Sequence, residues 1–202
     1  MFLVSYITKA KGCSFKPTKN CSILTEWNEI ISACRRGDHV AQCEAYHRSW
    51  KIIFPSVYHV LRNKEEAEDV LQESMIKGFE RLNELKDANR YVSWQKKIAL
   101  NDSLNRLRER KSFTPFFDHS DVSVPEEDDG AVVNMDITRV HSTIETMPEG
   151  YRLVIRLHLM EELTHEEIGK ALGISASTSR SQYSRAMSKL RKELSEEYER
   201  QF

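Results

Sequence analysis

The sequence predicts an all-α fold with two small helical domains joined by an acidic flexible linker. Good helix formers (Leu, Glu, Lys, Arg and Ala) are common, whereas the 202 residues include only 7 Gly and 5 Pro. Apolar residues recur at three- and four-residue intervals over most of the chain, and no run alternates convincingly in the manner of a strand. Residues 112–136 are the exception, because they lack a helical period and hold seven acidic residues without a Lys or Arg.

Four segments follow from this pattern. Residues 1–22 are predicted to be an irregular extension, residues 23–111 a first helical domain, residues 112–136 the linker, and residues 137–202 a second helical domain. The apolar start of the chain is too short for a signal peptide core, and no run approaches the roughly 18 apolar residues that cross a membrane. We therefore expect a cytoplasmic protein without membrane insertion.

Charge and cysteine content exclude little by themselves. The formal net charge of −1 argues neither for nor against nucleic acid, so the local charge decides. The cysteines form no C-x-x-C pair and all lie in the first quarter of the chain: Cys13, Cys21, Cys34 and Cys43. This spacing favours reduced thiols over a metal site, and we expect neither a metal nor a cofactor.

The first domain begins with two predicted helices. Apolar side chains recur at helical spacing from Thr25 onward: Trp27, Ile30, Ile31 and Cys34. Gly37 breaks this helix, and Asp38 can cap the next one, which runs through Trp50. Pro55 is predicted to mark an interruption or a first-turn position.

Two further helices complete the first domain. One begins at Asn63, with acids in its first turns and bases in its last, which complements the helix dipole. Its buried side is predicted to hold Ala67, Val70, Leu71, Ile76 and Phe79. Its outward side is predicted to hold Glu66, Asp69, Gln72, Glu73 and Lys77. The other covers about 92–110, and residues 90–111 carry seven Lys or Arg against two acids.

The second domain contains a helix-turn-helix pattern. Helices resume near Ile137 and break at Pro148. Within residues 163–186, Thr164 and Glu167 have the spacing of a capping box. Gly169 permits close helix packing, and Gly173 supplies the positive φ of a sharp helix stop. Ser175 then caps a second helix over about 176–194, which is rich in basic residues: Arg180, Arg185, Lys189, Arg191 and Lys192.

A helix-turn-helix places its second helix in the DNA major groove, so this domain is predicted to bind duplex DNA. The alternative is an ordinary helical hairpin with a solvated charged face. Ser179 departs from the pattern, because this position of the second helix usually buries Val or Ile. We expect the substitution to weaken the packing of the two helices by about 1 kcal/mol.

Three segments together resemble the extracytoplasmic-function (ECF) sigma factors of bacterial RNA polymerase. They are EEAEDVLQESMIKGFERL (65–82), VSWQKKIALNDSLNRLRER (92–110), and the stretch 146–194 with the helix-turn-helix. The resemblance covers about 25–111 and 137–194. It implies that the first domain is sigma region two and the second is region four. Ser179, Ser177 in place of a common Gly, and the N-terminal extension depart from the family pattern.

The resemblance also implies functional residues in the first domain. The helix 65–82 corresponds to the one that docks on the polymerase clamp, with a mixed patch of Asp69, Val70, Gln72, Glu73 and Met75. A solvated acidic helix is the alternative from composition alone. The loop 86–91, with Asn89, Arg90 and Tyr91, corresponds to the loop that captures a flipped base of the minus-ten element. Trp94 is expected to pack in the core rather than stack on a base.

The remaining DNA contacts are predicted on two helices. In the helix 92–110, Lys97 and Arg106 suit phosphates, and Asn101 and Asn105 can reach base edges. In the second helix of the helix-turn-helix, the positions that match the minus-thirty-five contacts are Thr178, Arg180, Ser181, Ser184 and Arg185. Basic residues from Lys189 onward suit phosphate contacts, whereas Tyr183 and Ala186 are predicted to face inward.

The function predicted is that of an ECF sigma factor, which binds core RNA polymerase and promoter DNA and is commonly held by an anti-sigma factor. The alternative is a helix-turn-helix regulator that binds duplex DNA without polymerase. An enzyme is disfavoured, because the chain has no Gly-rich phosphate loop, no H-E-x-x-H and no nucleophile elbow. We also expect the linker acids at 126–129 to lower the affinity of the free protein for DNA.

Overall fold

The computed structural model describes residues 26–110 and 137–199, which form two compact units divided after Arg110. All regular elements of these residues are helical, which confirms the all-α prediction. Residues 1–25 and 111–136, and with them the extension, the linker and two of the cysteines, lie outside the described residues. No helix in the described ranges is long and apolar enough to cross a membrane.

The first unit contains four α-helices and two short 3-10 helices. They are α1 (Trp27–Arg35), α2 (His39–Leu61), α3 (Lys64–Glu80), the 3-10 helices Leu82–Glu84 and Ala88–Arg90, and α4 (Tyr91–Glu109). Helix α2 lies at the centre and packs against each of the other three α-helices. The core cluster between α1, α2 and the 3-10 helices includes Ile30, Ile31, Ala45, Leu82 and Tyr91.

Local caps fix where these helices begin, and the cap by Asp38 was predicted. The Asp38 carboxylate accepts hydrogen bonds from the Val40 and Ala41 amides at 2.8 and 3.2 Å. The Asn63 side chain accepts one from the Glu66 amide at 3.1 Å. Each bond satisfies an amide that has no partner inside its own helix.

The predicted interruption at Pro55 is wrong, because α2 runs through this residue without a break. A proline inside a helix removes one hydrogen bond and crowds the preceding turn. Here buried residues occur on both sides of it, with Ile53 before and Val57 after, while Pro55 itself is exposed. Burial of both halves of the helix therefore outweighs the local cost.

The second unit contains four helices: α5 (Ile137–Thr146), α6 (Glu149–Leu159), α7 (His165–Leu172) and α8 (Ala176–Glu199). Helix α8 packs against the other three. The core includes Ile144, Met147, Ile155, Ala186 and Leu190. The break between α5 and α6 falls at Pro148, as predicted.

Candidate functional site

The outward side of α3 presents a short polar face. Asp69 and Glu73 are exposed and Gln72 is half-buried, one helical turn apart. Val70 and Met75 are only 2% and 0% exposed, so their assignment to the same docking patch is corrected. They belong to the apolar side of an amphipathic helix, where the sequence pattern had already placed Val70.

Ion pairs connect α3 to the antiparallel α4. Lys77 Nζ lies 3.1 Å from Asp102 Oδ2, and Arg106 Nη2 lies 3.4 Å from Glu73 Oε2. Arg110 pairs with Glu66 and also donates to the Leu61 carbonyl at 2.8 Å. The basic end of α4 is therefore partly neutralised by α3, and Arg106 would have to leave Glu73 to reach a phosphate.

A groove lies between the 3-10 helices and the first turns of α4. It encloses about 420 Å³, and its lining residues are Glu84, Leu85, Lys86, Asp87, Arg90, Ser93, Trp94 and Lys97. Asp87 fixes the backbone on one side of the groove, because its carboxylate accepts a hydrogen bond from the Asn89 backbone amide at 3.0 Å. Three cations, two acids and one aromatic ring therefore surround a space open to solvent.

Tyr91 is not part of this groove. Its side chain is 0% exposed, and its ring lies 5.3 Å from that of Trp27 and 6.4 Å from that of Phe79. Burial raises the pKa of its hydroxyl above the usual range. The prediction that Tyr91 contacts DNA is corrected, since a ring enclosed by other rings cannot receive a base. Asn89 and Arg90, its predicted companions, are exposed.

Trp94 occupies an intermediate position. It is half-buried against the core cluster, as predicted, but it also lines the groove. Sequence reasoning included Lys86 in the base-capturing loop without naming it as a contact residue, and it did not assign Ser93 to the site. Ser93 lies one turn before Lys97 on α4. Because residues at this spacing share a helix face, the prediction for Lys97 could have indicated Ser93 as well.

The two asparagines of α4 are exposed, one turn apart. The side-chain carbonyl of Asn105 accepts a hydrogen bond from the Arg108 guanidinium, which lies one turn further along the helix. Asn101 lies on the same face, closer to the groove-lining Lys97. The structure therefore places both predicted base-reading amides at the surface.

The helix-turn-helix has the predicted local geometry. Thr164 and Glu167 form a reciprocal capping box. Gly173 ends α7 with a φ of 71°, and a Cβ added at Gly169 would lie 2.8 Å from the Ile174 carbonyl oxygen. Ser175 caps α8, because its Oγ accepts from the Thr178 amide at 2.9 Å. These predictions are confirmed.

The predicted DNA-facing residues of α8 lie where its pattern indicates. Arg180 and Ser181 are exposed, Thr178, Ser184 and Arg185 are half-buried, and Ala186 is fully buried. Thr178 also contacts the cap, with its Oγ1 2.8 Å from Ser175 Oγ. These placements leave Arg180 and Ser181 as the most accessible predicted base readers.

Arg180 is held by a residue that sequence reasoning missed. Its Nη1 lies 3.1 Å from Glu166 Oε1 of α7. The pKa of Glu166 lies below its usual value because the carboxylate accepts from its own backbone amide and from Arg180. This pair orients the guanidinium from across the turn.

Ser179 makes a polar contact with α7 in place of the apolar contact that this position usually provides. It is 0% exposed, and its Oγ lies 3.0 Å from His165 Nδ1 on α7. The buried hydroxyl therefore has a partner on the neighbouring helix, which offsets part of the expected loss of packing. No periodicity in the sequence joins positions 165 and 179, so only the tertiary structure reveals this contact.

These sites define a class: a helix-turn-helix protein with a second helical unit that carries its own groove and polar docking face. Residues 137–190 match the family described as Sigma-70, region 4. The chain is 26% identical over 181 residues to the ECF RNA polymerase sigma factor SigW of Bacillus subtilis, covering 81% of this chain and 94% of that protein. It is 28% identical over 181 residues to the RNA polymerase sigma-H factor of Pseudomonas aeruginosa, covering 82% and 92%.

A solved structure of CnrH in complex with the cytosolic domain of CnrY also aligns with the chain. The TM-score is 0.46 at 20% sequence identity, over 83% of this chain and 96% of that one. The family match over 137–190 and the curated relatives together support an ECF RNA polymerase sigma factor.

Proposed function

We propose that this chain binds bacterial core RNA polymerase, directs it to promoters and assists promoter opening. The observation that carries the proposal is the presence, beside a helix-turn-helix unit, of a separate unit with both a polar docking face and a groove lined by charged groups and the Trp94 ring. A regulator that only binds duplex DNA needs the helix-turn-helix unit but not a second unit with a docking face and a groove. In this role the chain binds and positions nucleic acid, and the polymerase performs the chemistry.

The docking face on polymerase would be the outward side of α3, with Asp69, Gln72 and Glu73. The acidic side chains suit a basic partner surface, and their exposure leaves them accessible without unfolding. The buried Val70 and Met75 would support this face from beneath. This assignment gives the residues 23–111 the role of sigma region two.

The groove beside α4 would receive a base extruded from the minus-ten element. Extrusion costs a few kcal/mol of stacking and pairing, which contacts inside a pocket can offset. Trp94 offers a partly exposed ring for stacking, and Arg90 and Lys97 can hold the flanking phosphates. Asn101 and Asn105 would contact base edges further along α4.

The second unit would read the minus-thirty-five element through α8, in the role of sigma region four. Arg180 can donate two hydrogen bonds to a guanine, which discriminates by about 1–3 kcal/mol against other bases. Ser181, Ser184 and Arg185 lie along the same side. Basic residues further along the helix would bind phosphates and add affinity without sequence information.

Action at core polymerase implies a cytoplasmic protein, and an anti-sigma factor as inhibitor stays a prediction from the resemblance. The acidic linker would lie away from the duplex or in a basic channel of polymerase. Neutralising the acids at 126–129 should then raise the affinity of the free protein for DNA at fixed salt.

Co-migration of the purified full chain with bacterial core RNA polymerase on a sizing column tests the main proposal. We expect a stoichiometric complex, weakened by Glu73→Lys and to a smaller extent by Gln72→Ala. Glu29→Lys is the matched control, because it makes the same charge change at an exposed position of α1. Folded protein that does not bind core would instead support the duplex-only regulator.

A further inference from the structure

A cluster of rings and polar atoms joins three helices of the second unit. We call it the imidazole cluster and define it as His158 of α6, His165 of α7, and Ser179 and Tyr183 of α8. The two imidazoles are stacked, with centroids 4.4 Å apart and planes 18° apart. The Tyr183 ring is edge-on to both, at 4.7 and 5.6 Å. The cluster therefore lies where both helices of the helix-turn-helix meet.

Hydrogen bonds fix the orientation of both imidazoles. His158 Nδ1 lies 2.8 Å from the Leu163 carbonyl oxygen, which can only accept, so this nitrogen carries a hydrogen. His165 Nδ1 lies 3.0 Å from the buried Ser179 Oγ. In the neutral His165 tautomer with its hydrogen on Nε2, Nδ1 accepts the hydroxyl hydrogen. That bond connects the first helix of the motif directly to the recognition helix.

The surroundings of His165 disfavour a positive charge. The titratable and charged groups that face it are His158 from α6, Glu166 from α7, and Arg180 and Tyr183 from α8. Burial, then His158 and Arg180, lower the pKa of His165, and Glu166 opposes them only in part. His165 is also the first residue of α7, where the helix dipole is unfavourable to a cation.

We propose that His165 is a positioning residue for the recognition helix: in its neutral form it holds α8 through Ser179, and its protonation loosens the helix-turn-helix and weakens DNA binding. The proposal rests on the proposed function in one respect, namely that α8 binds DNA. A charged His165 would face His158 at stacking distance and Arg180 across the turn. Its Nδ1 would then carry a hydrogen, so the bond with Ser179 would have to reverse, with the buried hydroxyl accepting instead of donating.

The direction of the pH effect follows from linkage. A histidine with a lower pKa in the folded state than in the unfolded state binds fewer protons when folded. Its contribution to stability is therefore complete above the unfolded pKa of about 6.5 and is lost as the pH falls toward the folded value. Mildly acidic solution should loosen the second unit.

The test compares the full-length wild type with His165→Asn, whose amide can reach Ser179 from the position of Nδ1 but gains no proton. His141→Asn is the matched control, a half-buried histidine of α5 outside the cluster. Hydrogen exchange of the backbone amides of 149–190 is measured between pH 8 and pH 5.5, corrected for intrinsic rates. We expect protection in the wild type and in His141→Asn to fall by at least roughly threefold more than in His165→Asn.

Two further readouts separate a proton-dependent role from a merely structural one. The His165 ring signals in NMR should titrate below about pH 6.5, the ordinary histidine value. Ser179→Ala should shift that midpoint, because it removes the partner of Nδ1. A midpoint at or above the ordinary value, or equal pH dependence of protection in the wild type and His165→Asn, would overturn the proposal.

The DNA arm uses duplexes that the wild-type protein with core polymerase selects from a random-sequence pool at pH 8. Affinity is then compared at pH 8 and pH 5.5 at constant salt. We expect the loss at pH 5.5 to be roughly threefold greater for the wild type than for His165→Asn. If the wild type selects no duplex at pH 8, the proposed function fails. Equal losses with binding intact overturn only the role of His165.

Discussion

The two units of this protein build their candidate sites in different ways. In the first unit, the groove is lined by residues 84–97, but contacts between residues far apart in sequence hold it in place. Arg35 of α1 donates to the Leu82 and Leu85 carbonyls, and Glu73 of the docking face pairs with Arg106. In the second unit, caps and glycines within twelve residues, 164–175, set the geometry of the helix-turn-helix. Local signals therefore position the recognition helix, whereas packing of whole helices positions the groove. Substitutions in each unit can test this difference.

The largest effect is expected in the core of the first unit. Tyr91→Ala should lower the free energy of unfolding by about 3–5 kcal/mol, because it leaves a cavity between Trp27 and Phe79. All three tryptophans, Trp27, Trp50 and Trp94, lie in this unit, so their fluorescence in urea reports its unfolding alone.

Tyr91→Phe is the matched control for this prediction. It keeps the ring and removes a hydroxyl that lies 4.0 Å from Met75 Sδ, so we expect a loss of about 1 kcal/mol or less. It should also leave promoter binding intact. A defect in promoter binding in Tyr91→Phe, without loss of stability, would show that the Tyr91 hydroxyl contributes to DNA binding.

A smaller effect is expected at the turn of the second unit. Gly169→Ala would bring a Cβ to 2.8 Å from the Ile174 carbonyl oxygen, and we expect a loss of about 1–3 kcal/mol. Hydrogen exchange of 165–190 measures it. Gly150→Ala makes the same change inside α6, where its Cβ meets Gln182 at an ordinary 3.6 Å. This control should be neutral or slightly stabilising, and equal losses at both positions would contradict the close approach.

The smallest effect is expected from the surface ion pairs. A double-mutant cycle on Glu73→Gln and Arg106→Gln should give a coupling of about 0.2–1 kcal/mol, because Glu73 is exposed and Arg106 is partly exposed. The same cycle on Glu166→Gln and Arg180→Gln provides the comparison in the second unit. Similar couplings would show that neither pair decides stability. A coupling well above this range would mean that the α3–α4 contact is a structural element of its unit.

Much of the fold could be predicted because its signals are local. Asp38, Asn63 and Thr164 each satisfy backbone amides within three residues, so their capping roles follow from residue type and spacing. The amphipathic pattern likewise located the helices. Pro55 shows the limit of this reasoning, since its effect on the backbone was outweighed by burial on either side.

The candidate site was predicted less completely. Exposure of Asp69, Glu73 and Arg180 followed from helical periodicity. The burial of Val70 also followed from periodicity, although the resemblance had placed it in the docking patch. The burial of Met75 and Tyr91 did not follow, because neighbouring helices decide how much of a helix is covered. The partners Glu166 and His165 were missed for the same reason. Their contacts with α8 cross the turn and have no periodic signature.

The sequence by itself determined the helical class, the positions of the caps and the helix-turn-helix, because each of these depends on interactions within a few residues. The tertiary structure alone decided that Tyr91 is excluded from the groove, that Trp94 and Ser93 line it, and which cations are neutralised. It also decided that a buried Ser179 has a histidine partner. The physical reason is that these properties depend on how helices distant in sequence approach one another, and that approach is set by the sum of many weak packing contacts.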